Sequence, residues 1–201
     1  MPVKTNAQIT TIQAINTMAS YIGVPPINSL TEVDRNPDLK IAQDILNEIT
    51  QTTLSLGLPC NIDYEYPLTE VNTSLQVIIP DGALICDIDN PQFTERDGLL
   101  YDYKARDFTT DTSQKAYIVW LQEFDNLPEL VKRYITTAAS RALVARVKGD
   151  QGLQSLTITD ERRTKQEFDR YRFNMGDVSL LDHPEVDYIA RRKTYRRRRY
   201  Y

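Results

Sequence analysis

The chain has 201 residues, of which 41% are hydrophobic and 26% are charged, and this composition is typical of one compact domain that can bury its own core. The net charge is only −4. No segment approaches the roughly 20 apolar residues that cross a bilayer, and the first residues lack the apolar stretch of a signal peptide. Neither a membrane span nor secretion by that route is therefore expected. Two cysteines and one histidine exclude a disulfide framework and argue against a histidine-based metal site.

The first predicted helix covers residues 6–22. Thr5 or Asn6 is expected to cap it, because a short side chain with an oxygen atom can accept a hydrogen bond from an early backbone N–H. Apolar residues recur at steps of three and four and form one stripe of Ile9, Ile12, Ile15, Ala19 and Ile22. Gly23 supplies the expected left-handed stop, and Pro25-Pro26 prevents the helix from continuing.

A polar, turn-rich loop is predicted for residues 24–37 and a second helix for residues 38–56. Asn36 and Pro37 stand at its start, where a proline costs no hydrogen bond because the first helical N–H groups have no partner within the helix. Gly57 is expected to end this helix. The two helices are predicted to pack as an antiparallel pair that needs further apolar surface to cover it.

The hydrophobic period changes between residues 62 and 124, where short runs rich in β-branched and aromatic residues alternate with turn sequences. Strands are predicted near residues 62–68, 75–79, 83–89, 98–103 and 116–122, with weaker extended pieces at 92–95 and 106–109. Pro80-Asp81-Gly82 and Arg96-Asp97-Gly98 are predicted turns, because aspartate and glycine tolerate the backbone angles that turns require.

Helical spacing returns after this segment, with predicted helices at residues 127–148 and 153–175. Asn126 is the expected cap of the first, and Gly149 its end. Residues 160–172 are mostly charged, so we expect much of that stretch to face solvent. Because strands are grouped and not interleaved with helices, the sequence predicts an α+β fold: a helical bundle of about four long helices with an inserted antiparallel β-rich segment and an extended C-terminal arm.

Short motifs that mark common enzyme classes are absent: the chain has no G-x-G-x-x-G, G-x-x-x-x-G-K-[ST], C-x-x-C, H-E-x-x-H or G-x-S-x-G. A nucleophilic cysteine normally needs a nearby base. The single histidine, His183, lies in the arm and is expected to be an exposed loop residue, so Cys60 and Cys86 are expected to be ordinary buried thiols. We therefore predict no enzymatic activity, no cofactor and no required metal.

Neighbouring carboxylates could bind a cation or act as an acid–base pair. Asp87 and Asp89 share one face of a predicted strand, and Asp160-Glu161 begins the charged helical stretch. Acidic residues are spread throughout the chain, so a solvated surface is the favoured interpretation of both pairs.

Four tyrosines alternate along two predicted strands: Tyr64, Tyr66, Tyr101 and Tyr103. A tyrosine combines an apolar ring with a polar hydroxyl, so such a row suits the packed face of a sheet and equally suits a contact between subunits. The sequence leaves both interpretations open.

An extended basic-aromatic arm is predicted for residues 177–201, beyond a structured body of residues 1–176. Seven of the 24 basic residues lie in the final eleven positions, and residues 1–190 carry the other 17 together with all 28 acidic residues. The candidate docking residues are Arg191, Arg192, Lys193, Tyr195, Arg196, Arg197, Arg198, Arg199, Tyr200 and Tyr201. Such an arm fits an acidic groove on a protein or the backbone of a nucleic acid, and a solubilising tail is the third interpretation.

Several short stretches follow one another in a characteristic order: Ala14-Ile15-Asn16, Ile22-Gly23, Pro26 to Leu30, Asn61 to Leu68, Ile79 to Leu84, Gly98 to Asp102, Phe124 to Glu129, Arg133-Tyr134-Ile135, Ala138-Ala139 and Arg141. In order and spacing they resemble the tail tubular protein A family, the head-to-tail adaptors of short-tailed bacteriophages. The resemblance extends over residues 6–175 and does not include the arm.

This resemblance implies a structural virion protein of the phage tail, assembled in the host cytoplasm. Members of the family form a ring, expected to be dodecameric, that joins the portal protein of the DNA-filled head to the tail nozzle protein, tail tubular protein B. Double-stranded DNA passes through the channel of the ring during ejection without specific binding. The resemblance implies no membrane contact, cofactor or catalytic residue.

The arm therefore has two possible functions, binding to the portal protein and binding to nucleic acid. In the adaptor, its arginines meet portal carboxylates while Tyr195, Tyr200 and Tyr201 fill apolar pockets. In the alternative, a nucleic-acid-binding protein, the same arginines contact phosphate with a steep dependence on salt. Twelve acidic bodies would give a negative channel wall that repels phosphate, and this favours the adaptor.

Overall fold

The computed structural model describes residues 8–109 and 111–175. Within these residues lie four α-helices: α1 (Thr11–Ile22), α2 (Pro37–Leu54), α3 (Glu129–Val147) and α4 (Gln151–Met175). The same residues form the strands β1 (Ile62–Pro67), β2 (Ala83–Ile88), β3 (Phe93–Arg96), β4 (Leu99–Asp102), β5 (Asp107–Phe108) and β6 (Lys115–Trp120). Short 3-10 helices span Leu30–Arg35 and Phe124–Asn126. Helices and strands are segregated along the chain, so the predicted α+β class is confirmed.

No helix in the described part of the chain is long and apolar enough to cross a membrane. The predicted arm, residues 177–201, lies outside the described residues, so the division between a body and an arm stays a prediction.

The predicted start of the first helix at residue 6 is wrong, because α1 begins at Thr11 and residues 8–10 are not helical. Thr10 is the cap: its hydroxyl accepts a hydrogen bond from the Gln13 N–H at 3.3 Å, and Gln13 Oε1 accepts one from the Thr10 N–H at 3.0 Å. The Asp125 carboxylate also accepts from the Thr11 N–H at 2.7 Å, where a negative charge is favourable at a helix N-terminus. This partner is 114 residues away, so no local pattern could reveal it.

The predicted caps Thr5 and Asn6 lie outside the described residues. The predicted end of this helix is confirmed, since Gly23 takes the left-handed conformation with φ of 78°.

The second helix begins as predicted. Asn36 caps α2, and its Oδ1 accepts a hydrogen bond from the Asp38 N–H at 3.0 Å. The last helical residue is Leu54, two residues before the predicted end, and Gly57 follows with φ of 68°. The preceding loop, predicted as turns, contains the 3-10 helix Leu30–Arg35.

The third helix begins at Glu129, and the predicted cap Asn126 does not cap it. The N-cap position is occupied by Pro128, which makes no side-chain hydrogen bond there. Asn126 instead ends the 3-10 helix Phe124–Asn126, so the chain makes one tight turn before α3 begins. After α3, Gly149 has the expected positive φ, and its N–H donates to the Val144 carbonyl at 3.1 Å.

The start of α4 is set by Asp150, whose Oδ1 accepts hydrogen bonds from the Gly152 and Leu153 N–H groups at 2.7 and 3.0 Å. Much of residues 160–172 is exposed, as the charge pattern predicts, but Phe168 is buried. This phenylalanine stacks on Tyr134 of α3 with ring centroids 4.5 Å apart, and the pair holds the two helices together.

The helical part has a hydrophobic core to which α1, α2 and α3 contribute most. Ile15 and Met18 of α1, Leu46 of α2, and Ile135 and Leu143 of α3 are all fully buried in it. Burying one such side chain contributes about 1.5–3 kcal/mol, so apolar packing is the main stabilising term for these helices.

The β-rich segment folds into two antiparallel three-stranded sheets, one ordered β1-β6-β2 and the other β3-β4-β5. The two weaker extended pieces predicted from the sequence are thus the strands β3 and β5. Both edge strands of the first sheet lose regular register against β6, between Asp63 and Tyr66 in β1 and between Ala83 and Ile85 in β2. Glu65 has φ of 52° at the first of these irregularities.

The predicted strand at residues 75–79 is wrong. Asn72 Oδ1 accepts hydrogen bonds from the Ser74 and Gln76 N–H groups, both at 2.9 Å, and Leu75 has φ of 62°. This side-chain turn competes with strand pairing, so the segment makes only isolated bridges, Val71 to Val77 and Ile78 to Leu99.

The helical and β-rich parts are joined at Asn61, which is 1% exposed. Its Nδ2 donates to the carbonyl oxygens of Leu54 at 3.1 Å and Trp120 at 2.7 Å, while its Oδ1 accepts from the Leu58 N–H at 2.8 Å. The Asn61 carbonyl also accepts from the Trp120 N–H at 2.7 Å. One buried residue therefore fixes the end of α2, the following loop and the end of β6.

We predict that Asn61→Ala lowers the free energy of unfolding by about 2–4 kcal/mol, because it removes the side-chain partner of the Leu58 N–H and of the Trp120 carbonyl and leaves the Leu54 carbonyl with the Gly57 N–H alone. Urea denaturation measures the change. Asn47→Ala is the matched control: Asn47 is exposed in α2, so the same substitution there is expected to change stability by less than about 0.5 kcal/mol. Equal effects at the two positions would contradict the role of Asn61.

Candidate assembly surface

The sequence-predicted docking residues, Arg191 to Tyr201, lie outside the described residues, and so does His183. Their contacts stay predictions. The candidate residues in the described part of the chain are the two cysteines, the paired carboxylates and the tyrosines.

The two cysteines are half-buried free thiols. Burial raises the pKa of Cys60, and burial together with the neighbouring charges of Glu95 and Asp87 raises the pKa of Cys86 to about 11. Both thiols are therefore protonated at neutral pH, and a thiol is a poor nucleophile and a poor metal ligand. This environment is typical of packing cysteines.

The carboxylates predicted to form a solvated surface have several environments. Asp160 accepts a hydrogen bond from the Tyr21 hydroxyl at 3.1 Å, and Glu161 forms an ion pair with Arg141. Asp87 and Asp89 are exposed. Across residues 8–109 and 111–175, no three His, Cys, Asp or Glu side chains converge as they would to bind a metal ion.

Two of the four tyrosines that alternate along the predicted strands pack within the β-rich part. Tyr66 lies edge-on to Trp120 with ring centroids 5.3 Å apart. Tyr101 packs against Phe108 at 5.4 Å, and the guanidinium carbon of Arg96 lies 3.9 Å from its ring centroid. These two tyrosines therefore belong to the packed face of a sheet.

The other two tyrosines are exposed. Tyr64 in β1 is 68% exposed, and Tyr103, whose hydroxyl donates to the Pro91 carbonyl, is 51% exposed. Exposed tyrosine rings are enriched where proteins bind one another, so these two support the subunit-contact interpretation.

Tyr64 belongs to a larger exposed surface on the outer face of the β1-β6-β2 sheet. In β6, Ala116 and Ile118 face the core of the β-rich part, so Tyr117 faces outward, with its ring centroid 5.3 Å from that of Tyr64. Asp87 lies opposite Tyr117 in β2. We define the sheet patch as Tyr64, Ile85, Asp87, Asp89 and Tyr117.

The sheet patch is aromatic and acidic. Lys115 lies beside it, but its ammonium is 2.7 Å from the Glu65 carboxylate, so these two charges largely cancel. Burial raises the pKa of the Tyr117 phenol, which keeps its hydroxyl protonated at neutral pH. The net charge of the patch thus comes from Asp87 and Asp89.

The turn that follows α2 approaches this sheet face at Gly57. A β-carbon at Gly57 would lie 2.7 Å from Tyr117 Oη, and φ of 68° already disfavours any side chain there. Glycine at this position therefore allows the turn after α2 to contact Tyr117, which is partly buried, whereas the other four residues of the sheet patch are exposed.

A cleft of about 380 Å³ opens beside this junction, between the second half of α2 and the chain after β6. Its lining residues are Asn47, Thr50, Gln51, Leu121, Gln122, Glu123 and Phe124. The lining joins two parts of the chain that are distant in sequence, so sequence periodicity could not predict it. It holds one carboxylate and otherwise neutral groups, which do not form an acid–base pair.

Residues 12–178 match the family described as Tail tubular protein, a range that contains nearly all of the helices and strands above. The chain belongs to the tail tubular protein family. Membership makes it a structural protein of a bacteriophage tail, located in the virion, and confirms the resemblance seen in the sequence. No curated protein matches the chain.

We predict that Gly57→Ala destabilises this tail tubular protein by at least about 1 kcal/mol more than Gly82→Ala does. Both glycines have positive φ, 68° and 83°, but no atom lies within 4 Å of a β-carbon built at Gly82, so Gly82→Ala measures backbone strain alone. Thermal or urea unfolding of the two variants gives the difference.

Removing the Tyr117 hydroxyl provides the control. Tyr117→Phe combined with Gly57→Ala is expected to recover much of the difference, since the closest atom is then gone. Equal destabilisation by the two alanine substitutions would show that the Tyr117 side chain moves away from residue 57 at little cost in free energy.

Proposed function

We propose that this tail tubular protein is a head-to-tail adaptor. Its copies form a dodecameric ring between the portal protein and the tail nozzle protein, and double-stranded DNA passes through the ring without specific binding. The body of each subunit is residues 1–176, with its four helices acting as one bundle and the β-rich segment presenting a second surface. Membership in the tail tubular family supports a role in assembly with other parts of the virion.

The observation that carries the proposal is the separation of charge along the chain. Residues 1–190 hold 17 basic and 28 acidic residues, whereas the last eleven hold seven basic residues and no acidic one. A wall built from acidic bodies repels phosphate, so DNA can move past it without sticking, while a DNA-binding surface is basic.

The acidic charge is concentrated in the β-rich segment. Residues 62–124 contain twelve acidic and four basic residues. Where this segment faces a channel, its exposed carboxylates would repel the phosphates of DNA. The exposed tyrosines beside them suit contacts with protein. Both properties fit a component that touches proteins on its outside and tolerates DNA in its centre.

The basic arm is proposed to dock on the portal. Planar guanidinium groups form charge-assisted hydrogen bonds with carboxylates. Exposed ion pairs contribute only about 0–1 kcal/mol each, so Tyr195, Tyr200 and Tyr201 must supply part of the binding energy through apolar contacts.

Truncation after Ala190 tests this assignment. We expect portal affinity to fall at least about tenfold, which corresponds to 1.4 kcal/mol, because all seven cations and three tyrosines are lost. Sedimentation of the truncated chain with the portal protein of the same phage measures the affinity. If portal affinity is undiminished while DNA binding disappears, the arm binds nucleic acid and the alternative function is correct.

A second variant separates charge from apolar anchoring. The substitutions Tyr195→Ser, Tyr200→Ser and Tyr201→Ser keep every charge of the arm, so binding through charge alone would be unaffected by them. We expect this variant to lose portal affinity as well, and to an intermediate degree.

We further predict that the free protein is largely a monomer of 23.2 kDa and forms rings only on the portal. Exposed contacts between copies are weak one by one, and many weak contacts become effective only when a partner holds the subunits side by side. Sedimentation velocity of the purified protein decides this. A stable ring formed in the absence of portal contradicts the prediction.

A further inference from the structure

α4 is attached to the rest of the helical part along one side only. Phe168 stacks on Tyr134, and the Thr164 hydroxyl lies 2.6 Å from that of Thr137, both contacts being made to α3. Thr157 and Phe168 are the buried residues of α4 among residues 151–173. Nearly all of the opposite side of this long helix is in solvent.

The exposed side carries a regular row of residues, which we define as the outer stripe. Its members recur at steps of three and four, so they lie on one face of the helix: Leu156, Thr159, Arg163, Gln166, Arg170 and Phe173. Leu156 is 60% exposed and Phe173 81% exposed, at the two ends of the row. At 1.5 Å per residue the stripe is about 26 Å long.

The outer stripe is basic and apolar. Within the described part of the chain, neither Arg163 nor Arg170 has an ion-pair partner, and the stripe contains no carboxylate. An exposed phenylalanine in one stripe with two unpaired arginines is typical of a surface that binds a partner, because aromatic and arginine side chains dominate such contacts.

The sheet patch has the opposite character. It presents Asp87 and Asp89 beside the exposed side chains of Tyr64 and Ile85 and the partly buried ring of Tyr117. The same contrast extends over the subunit: residues 62–124 hold twelve acidic and four basic residues, whereas residues 129–175 hold six acidic and ten basic residues. Each subunit thus has one acidic and one basic surface.

We propose that the outer stripe of one copy binds the sheet patch of the next copy. Arg163 and Arg170 pair with Asp87 and Asp89 of the neighbouring copy, and Phe173 packs against its exposed tyrosine ring. The two surfaces lie on different parts of the subunit, so the contact is head-to-tail, and repeated head-to-tail contacts close into a ring when the rotation between successive copies returns to its start. The inference rests on the proposed adaptor ring and identifies the contact between its subunits.

Charge reversal tests the pairing. The first variant is Arg163→Glu with Arg170→Glu, and the second is Asp87→Lys with Asp89→Lys. All four positions are exposed, so both variants are expected to fold, which circular dichroism and thermal unfolding verify. In either variant the two surfaces carry like charge, and we expect the number of rings formed on the portal, counted by electron microscopy, to fall at least about tenfold.

An equal mixture of the two variants is the decisive measurement. The acidic stripe of the first variant matches the basic patch of the second, and the unchanged stripe of the second matches the unchanged patch of the first. An alternating ring therefore satisfies every contact, and the mixture is expected to restore rings to near the wild-type number. Rescue would show that the stripe of one copy meets the patch of another, because neither variant alone offers that match.

The matched control is Lys104→Glu with Arg106→Glu, which changes the net charge as much as the first variant does but at an exposed turn of the β-rich part. It is expected to leave ring formation unchanged. If wild-type protein forms rings and the mixture does not rescue the two variants, the proposed interface is wrong and the adaptor function stands.

Other outcomes are equally informative. If wild-type protein forms no ring with the portal, both the adaptor function and the interface are wrong. If the patch variant loses ring formation and the stripe variant does not, the patch binds another segment, such as the basic arm, and the inference is overturned. Loss of DNA binding in the stripe variant, with normal rings, would assign the stripe to nucleic acid and overturn it as well.

Discussion

The helical and β-rich parts of this subunit are joined by the hydrogen bonds of Asn61. Each part has a hydrophobic core, and the hydrophobic effect that stabilises these cores is non-directional. By contrast, the two donors and the acceptor of a buried amide each need a partner in the correct direction. Gly57 adds a steric limit at the same junction by bringing the turn after α2 against Tyr117. The outer stripe and the sheet patch therefore keep a fixed relation, which a closed ring requires.

The sequence predicts most of the elements because hydrophobic period, caps and turn residues are local properties. Asn36 and Gly23 act as expected. The start of α1 is also a local signal, the capping box of Thr10 with Gln13, and the distant Asp125 only adds to it. The wrong strand at residues 75–79 has another cause, because the side chain of Asn72 forms a turn that replaces strand pairing. Lys132 is an example that no pattern indicates: it is 1% exposed, and its ammonium donates to the Asp125 carbonyl at 2.8 Å.

The candidate surfaces are less predictable than the fold. Alternation along β1 suggests two equivalent tyrosines, yet Tyr64 is exposed and Tyr66 is packed, because the strand loses register between Asp63 and Tyr66. The charged character of α4 is visible in the sequence, but which of its faces is free depends on where Phe168 meets α3. Family membership is a property of sequence alone, and it identifies a tail protein before any surface is known.

The irregular register of both edge strands has a consequence for how copies of the chain meet. A straight, exposed edge strand invites another strand to add to it through backbone hydrogen bonds, and a protein made in many copies then risks open-ended polymers. In the first sheet, β1 bends at Glu65 and ends at Pro67, which has no N–H to offer, and β2 is irregular near its beginning. Backbone pairing between copies is thereby hindered at both edges. Copies of the chain then associate through side chains. Because such contacts involve a fixed set of residues in a fixed orientation, the assembly can end as a closed ring.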